Sequence, residues 1–412
     1  MRGCRGIERL PEMDLRRLRV VGDDGPSPRA ERATDGVHEV DVMTRSTEKK
    51  KSLRLKGEGL RVAVVGAGYW GKNLVRNFSS LPGARLVAIC DVNPDVREVM
   101  ARTYPGVRVT GDYREILQDP EVEAVVLVTP AALHFEGAKA AMEADKHVYV
   151  EKPMALSVAQ AEEMVALSKA GSKVLMVGHM LVYHPVVQRV KALMDSGELG
   201  EVFYMYALRV NLGRLRSDEN ALWSFGPHDL SVMLYLLGEA PISVAARGKA
   251  FLQDGIEDVV FLNLTFPRGE MAQVQLSWLD PRKERKLTVV GSRKMLEFDD
   301  TSPTEKLRIF DKGFGRPPDF DSYGEYLSIR HGDVLIPRVE LVEPLRVELL
   351  HFVECALQGK VPITGGQEGL EVVRILEAAD RSMAQNGAPV ELADEVCRGT
   401  AGSKLTGRKR WR

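Results

Sequence analysis

Three groups of residues in this chain have types and spacings that chemistry could use. The first is Gly66-Ala67-Gly68-Tyr69-Trp70-Gly71, with Asp91 twenty residues beyond it. The glycine run follows the apolar stretch Val62-Ala63-Val64-Val65 at once and precedes a helical pattern from Lys72 to Ser80. A second apolar run, Arg85 to Cys90, ends at Asp91. A lone G-x-G-x-x-G is weak evidence. A strand before it, a helix after it, a second strand and an acid at that strand's end together form the dinucleotide-binding pattern. In that pattern Gly66 makes the tight turn, Gly68 lets the backbone approach a pyrophosphate, and Gly71 lets the helix pack closely on the strand. The helix N-terminus offers unpaired N–H groups to the anion. A carboxylate at Asp91 accepts hydrogen bonds from ribose hydroxyls and repels a 2′-phosphate. Val92-Asn93-Pro94 holds no Arg to neutralise one, so NAD is expected rather than NADP. The competing readings are a ligand-free glycine turn and Asp91 as an ordinary turn residue.

The second group is Glu151-Lys152-Pro153, which ends the apolar run 147–150. In an open parallel sheet, ligands sit beyond the carboxyl ends of the strands, so Lys152 shares an edge with Gly66 to Gly71. A lysine there can hold a substrate hydroxyl and stabilise developing alkoxide charge. A surface lysine whose stem covers apolar neighbours fits the pattern equally. The third group is Trp223-Ser224-Phe225-Gly226-Pro227-His228-Asp229, followed by an apolar helical run from Ser231 to Leu237. This places His228 just before or at the helix start. Histidine is the side chain best matched to proton transfer near neutral pH. A structural histidine at a helix start is the alternative, with Asp229 as a cap.

These residues need a scaffold, and the hydrophobic pattern supplies one. From Leu60 to about Val177, strands are expected at 61–65, 85–90, 107–109, 124–128, 147–150 and 173–177, with helices between them. Alternation of this kind means an α/β Rossmann domain with a doubly wound parallel sheet. After a helix at 185–195, long strands follow one another at 201–212, 242–252, 257–266, 270–279 and 285–291. Strands without intervening helices mean an α+β domain with a large open antiparallel sheet. Residues 299–345 show little periodicity and read as loops, and helices at 346–358 and 366–386 close the fold. The expected division is a leader (1–57) too polar and Gly/Pro-rich to fold, an NAD-binding domain (58–178), a substrate-binding and oligomerisation domain (179–390), and a flexible basic tail (391–412).

Composition narrows the function classes. The chain has 412 residues, a net charge of −1 and 44% apolar residues. Near-zero charge points to no nucleic-acid partner, and no apolar run reaches the roughly eighteen residues of a membrane helix. Four scattered cysteines without a C-x-x-C read as reduced thiols in the cytoplasm, and no metal site is expected.

Taken in order, Gly66-x-Gly68-x-x-Gly71, Val128-Thr129-Pro130 with His134, Glu151-Lys152-Pro153 and the His228 segment resemble the Gfo/Idh/MocA oxidoreductases, which act on sugars, inositols and related polyols. The resemblance covers roughly Leu60 to Val390. Gly68-Tyr69-Trp70-Gly71-Lys72-Asn73, the run Gly178 to Pro185 and the run Arg209 to Arg214 are most similar to the family's bacterial UDP-N-acetylglucosamine and UDP-N-acetylglucosaminuronate 3-dehydrogenases. The resemblance implies Lys152 and His228 as the catalytic pair and a cofactor surface of Gly66, Gly68, Tyr69, Trp70, Gly71, Asp91, Thr129, Pro130, His134, Glu151 and Lys152. It implies substrate contacts from Lys152, Tyr183, Arg209, Asn211, Arg214, Trp223 and His228. Many members carry Asp four residues before this histidine, and here Ser224 stands there. The implied substrate is a sugar nucleotide, with polyols, inositols or free sugars as the alternative, and the implied assembly is a dimer or tetramer. A non-catalytic NAD-binding regulator is the alternative of another class.

Overall fold

The computed structural model of the protein describes residues 59–213, 215–217, 219–315 and 328–392. The expected leader, Arg214 and most of the expected basic tail lie outside the described residues.

The first sheet is built from β1 (Leu60–Val65), β2 (Ala84–Cys90), β3 (Arg108–Thr110), β4 (Ala124–Leu127), β5 (His147–Val150) and β6 (Leu175–Val177). All its pairings are parallel, in the order β3-β2-β1-β4-β5-β6. Every residue of β4 and nearly every residue of β1 is buried, because α1 (Gly71–Phe78), α4 (His134–Glu143) and α5 (Val158–Gly171) help cover the two faces. Chain direction across the sheet reverses between β1 and β4. The crevice opens there, beyond the carboxyl ends of the strands. Side chains start the outer helices: Asn93 caps α2 (Pro94–Thr103), Asp112 caps α3 (Tyr113–Gln118) and Ser157 caps α5.

The second sheet departs from expectation in size and direction. It contains nine strands in the order β14-β13-β12-β11-β7-β10-β9-β8-β15. They are β7 (Val202–Leu212), β8 (Ser243–Lys249), β9 (Val259–Thr265), β10 (Met271–Ser277), β11 (Leu279–Gly291), β12 (Met295–Asp299), β13 (Leu307–Gly315), β14 (Ser328–Leu335) and β15 (Val390–Glu391). The β7–β10 pair is parallel and the others are antiparallel, so the sheet is mixed rather than purely antiparallel. Parts of 299–345 expected as loops are strands β13 and β14. Their alternation is broken where the register slips between Phe310 and Lys312, and Gly313 and Gly332 carry no side chain to mark a face. β14 is the edge strand, largely exposed and held by the ladder more than by burial, while β13 beside it buries only Leu307 and Ile309 before the slip. At the far edge, Glu391 pairs with Ser243 and Leu392 donates its N–H to Ile242.

α7 is also longer than expected, running Ala221–Leu237 with Pro227 inside it. His228 therefore sits mid-helix, not at a helix start. A proline removes one helical hydrogen bond and crowds the turn before it. That turn is anchored from outside. Asn220 caps the Trp223 N–H at 3.1 Å, the Trp223 indole donates to Asp380 at 2.7 Å, and the Lys152 ammonium donates to the Ser224 carbonyl at 2.9 Å.

α7 and α9 (Gly366–Ala384) cover one face of the second sheet and bury Leu262, Val274, Leu276 and Trp278. α9 also packs on α5, and α8 (Pro344–Gln358) on α1, so the last helices bind the two sheets together. The opposite face leaves Tyr204, Tyr206, Phe261 and Met271 exposed. No described helix is long and apolar enough to cross a membrane.

Candidate active site

The glycine loop after β1 is shaped by its own backbone. Gly66 has φ +89, and a Cβ there would lie 2.6 Å from the Val128 carbonyl oxygen. A Cβ on Gly71 would lie 1.9 Å from the Gly66 carbonyl oxygen, so neither position accepts a side chain. Around Gly68 the space is open: apart from its own chain neighbours, no atom of the described residues lies within 4 Å of a Cβ position. Tyr69 is 87% exposed and Trp70 partly so. Asp91 holds this loop: one carboxylate oxygen accepts the Ala67 N–H at 2.7 Å and the other accepts the Asn93 N–H at 2.9 Å. Arg97, three residues beyond Pro94, donates to the Asp91 and Val92 carbonyls at 2.9 Å. An open glycine ledge at a helix start, with a carboxylate beside it, fits the pyrophosphate and ribose of a dinucleotide.

The wall opposite is clamped by His134. Its ring nitrogens lie 2.7 Å from the Pro153 carbonyl and 2.9 Å from the Thr129 carbonyl, and the single N–H of the neutral ring donates to one of the two. Burial holds its pKa below the usual imidazole range. The Thr129 hydroxyl is buried with no partner among the described residues, and Pro130 beside it is exposed.

At the end of β5, Glu151 is buried and accepts the Trp70 indole N–H at 2.7 Å. This bond joins the glycine loop to the lysine strand. Burial pushes the Glu151 carboxyl up, against the pull of Trp70 and Lys152. Lys152 reaches across to Ser224 on α7. Burial lowers its pKa, opposed chiefly by Glu219 and Glu151. His228 lies on the same helix one turn further on, half-buried, with Nδ1 sealed from solvent and without a partner among the described residues. Burial, then Lys152 and Arg209, hold its pKa well below the usual imidazole range. Burial thus favours the neutral form of the His228 imidazole.

The other expected substrate contacts fall in different places. Arg209 is buried and its fork is closed on Asp229, at 2.6 Å and 2.9 Å. Asp229, adjacent to His228 in sequence, thus serves β7 rather than the histidine or a helix cap. The Asn211 side-chain oxygen is buried without a partner among the described residues. The Tyr183 hydroxyl bonds Thr364 at 3.2 Å, and its ring packs edge-on against His351. Trp223 is pinned to α9 through Asp380. Lys152, His228, Glu151 and Trp70 come together, while Tyr183 is used in packing.

One residue of the site carried no role in the sequence reading. His179 follows β6 directly, as Lys152 follows β5. It is 1% exposed, and among the described residues neither ring nitrogen has a partner. Burial and Lys152 bring its pKa down to about 3. Its position just past a strand's carboxyl end is the signal that could have marked it.

Known proteins agree with this geometry. Residues 60–179 match the oxidoreductase family with an NAD-binding Rossmann fold, and residues 187–297 match the GFO/IDH/MocA C-terminal domain. The scyllo-inositol 2-dehydrogenase (NAD(+)) of Bacillus subtilis is 28% identical, over 81% of this chain and 96% of its own. The UDP-N-acetylglucosamine 3-dehydrogenase of Acidithiobacillus ferrooxidans is 26% identical, over 68% of this chain and 87% of its own. The crystal structure of a Magnetospirillum magnetotacticum protein classed as an oxidoreductase superposes with a TM-score of 0.65 at 33% identity. That match covers 77% of this chain and 99% of the other. With its NAD-binding sheet, its mixed second sheet and its lysine at the crevice edge, this chain belongs to the Gfo/Idh/MocA family of NAD-dependent oxidoreductases acting on CH–OH groups.

Proposed function

We propose that the chain oxidises a secondary alcohol of a sugar nucleotide, the 3-hydroxyl of UDP-N-acetylglucosamine or its uronate, to the 3-keto sugar. The observation that carries the chemistry is that Lys152 bonds the Ser224 carbonyl one turn before the half-buried His228 on α7, which brings both side chains to the crevice edge. Alcohol oxidation needs a base for the hydroxyl proton and a group to stabilise the oxyanion. His228 takes the proton and Lys152 holds the developing alkoxide. Bound NAD supplies the hydride acceptor. Trp70, held by Glu151, and His134, lodged between two carbonyls, fix the walls between which the carbinol carbon is presented.

The sugar-nucleotide reading rests on the runs Gly68 to Asn73, Gly178 to Pro185 and Arg209 to Arg214, and on the named activity of the Acidithiobacillus relative. One observation favours an uncharged polyol or inositol instead: Arg209 is already committed to Asp229, and Arg216 pairs with Glu219 at 2.8 Å. Neither guanidinium is free for a diphosphate. NADH formation with a panel of sugar nucleotides and free polyols separates the two readings. Turnover with UDP-N-acetylglucosamine or its uronate supports the first, and turnover with inositols alone removes it.

The boundary near residue 178 divides cofactor binding from substrate binding in this proposal. The open face with Tyr204, Tyr206, Phe261 and Met271 is the surface through which the chain forms a closed dimer or tetramer. Light scattering at micromolar concentration gives a dimer or tetramer mass, and a monomer mass contradicts it. The cytoplasm is the proposed location, in keeping with Cys90 and Cys355, which are free and buried.

A further inference from the structure

The covered face of the second sheet changes character at one end. In the antiparallel pair of β7 and β11, Val289 stands opposite Met205, Leu287 opposite Ala207 and Arg285 opposite Arg209. Directly opposed residues of such a pair share a face. These rows therefore lie on the face that Arg209 turns to Asp229 of α7. Met205, Ala207, Leu287 and Val289 are buried. The next row is a pair of guanidiniums. Asn211 follows two residues beyond Arg209 on the same face, with its side-chain oxygen buried and without a partner among the described residues. The apolar floor under α7 thus ends in a polar patch at the helix turn that carries His228 and Asp229.

Two guanidiniums directly opposite each other repel, so the row is a cost to folding that needs an account. Arg209 is buried and its fork is closed on Asp229. Arg285 is held less closely. Its guanidinium stands 3.7 Å from Asp300, a carboxylate that also lies 3.8 Å from Lys306 and 3.8 Å from His184. Its side chain is 41% exposed. Burial and then Arg209 draw its pKa below the ordinary guanidinium range, against the pull of Asp300 and Asp229. Burial first, and then charges that include Lys152, Arg209 and Arg285, disfavour a proton on His228, which places Arg285 near the base. Within this cluster Arg209, Arg285 and Lys306 are set against the carboxylates of Asp229 and Asp300, which leaves a positive charge in excess.

We propose that Arg285 is a specificity-determining residue that holds a carboxylate of the substrate beside the carbon on which His228 and Lys152 act, so that the substrate is a sugar acid. The proposal rests on the assignment of alcohol oxidation to the His228 edge, and within the sugar-nucleotide reading it selects the uronate. A guanidinium fork meets a carboxylate with two parallel bonds. It has more N–H donors than one carboxylate uses, so Asp300 can orient Arg285 while a second carboxylate binds. The excess charge of the patch matches the charge of that group. Asn211 adds an acceptor for a neighbouring hydroxyl.

The test uses the full chain with NAD and two substrate pairs: UDP-N-acetylglucosaminuronate against UDP-N-acetylglucosamine, and D-glucuronate against D-glucose. The members of each pair differ by a carboxylate. In wild type kcat/KM should favour the acid by about tenfold or more, chiefly through KM. Arg285→Met should remove most of that preference, and Arg285→Lys should keep part of it. The ratio is internal to each variant, so a general loss of stability or activity cancels. Dissociation constants in the dead-end complex with NADH read the same preference without turnover. A wild type with no preference for the acid, or an Arg285→Met variant that keeps the preference, overturns the proposal. Failure of the sugar-nucleotide reading looks different: the first pair is then inert and unbound, and the second pair still reports on Arg285. Failure of the catalytic assignment looks different again, because His228→Asn would keep full turnover.

Discussion

The two sides of the crevice hold their functional groups by different means. On the nucleotide side, backbone geometry does the work: Gly66 and Gly71 allow one turn, and Asp91 pins it through the Ala67 N–H. On the α7 side, side chains distant in sequence hold one another: Arg209 with Asp229, Trp223 with Asp380, Lys152 with the Ser224 carbonyl. A turn fixed by local backbone limits leaves a local motif. A site fixed by long-range pairs leaves isolated residues whose partners cannot be read from spacing.

Breaking one anchor on each side tests this contrast. The largest effect is expected on the α7 side. Asp229→Ala leaves the Arg209 guanidinium buried without its partner, and loss of one member of such a pair typically costs about 3–5 kcal/mol. Chemical denaturation should show that loss, and a change under about 1 kcal/mol would mean that water replaces the carboxylate easily. On the nucleotide side, Asp91→Ala should weaken NAD by about tenfold or more and NADP much less, because a ribose diol acceptor is lost. It should also loosen the glycine loop, since Ala67 loses its acceptor. Equal losses for the two cofactors in a binding titration would assign Asp91 to the loop alone.

A smaller effect separates the sides by pH. His179 has a folded pKa of about 3 against an ordinary 6.5. Between those values the unfolded chain binds the extra proton, so this contribution is present above about pH 6.5 and is lost as pH falls through the window. Asp380 works in the opposite sense: its folded pKa of about 6 exceeds its ordinary 3.8, so its contribution is lost as pH rises through that interval. Comparing wild type with His179→Leu isolates the first term. The wild type should show the steeper acid loss, by at most about 1.4 kcal/mol per pH unit. Parallel stability curves would contradict a neutral His179 in the folded state.

The same contrast explains what the sequence revealed. The six parallel strands and the Gly66 to Gly71 turn were legible because strands buried on both faces read as continuous apolar runs, and glycines mark forced backbone. Lys152 was legible through its place after β5. The length of α7 was not, because Pro227 reads as a stop until the Asn220 cap and the Lys152 contact beneath it are seen. Strands β13 and β14 were missed because a register slip and glycines erase their alternation. Arg209 and Tyr183 read as substrate contacts, but the partners that occupy them, Asp229 and Thr364, lie twenty and 181 residues away.

The central claim is that Lys152 and His228 carry the chemistry while the glycine loop carries the cofactor. The most direct test measures NAD affinity and NADH formation together in wild type, Lys152→Met and His228→Asn, using the best substrate from the panel. Both variants should still bind NAD and turn over about a hundredfold more slowly or worse. Near-normal turnover in either variant, with NAD bound, would contradict the account.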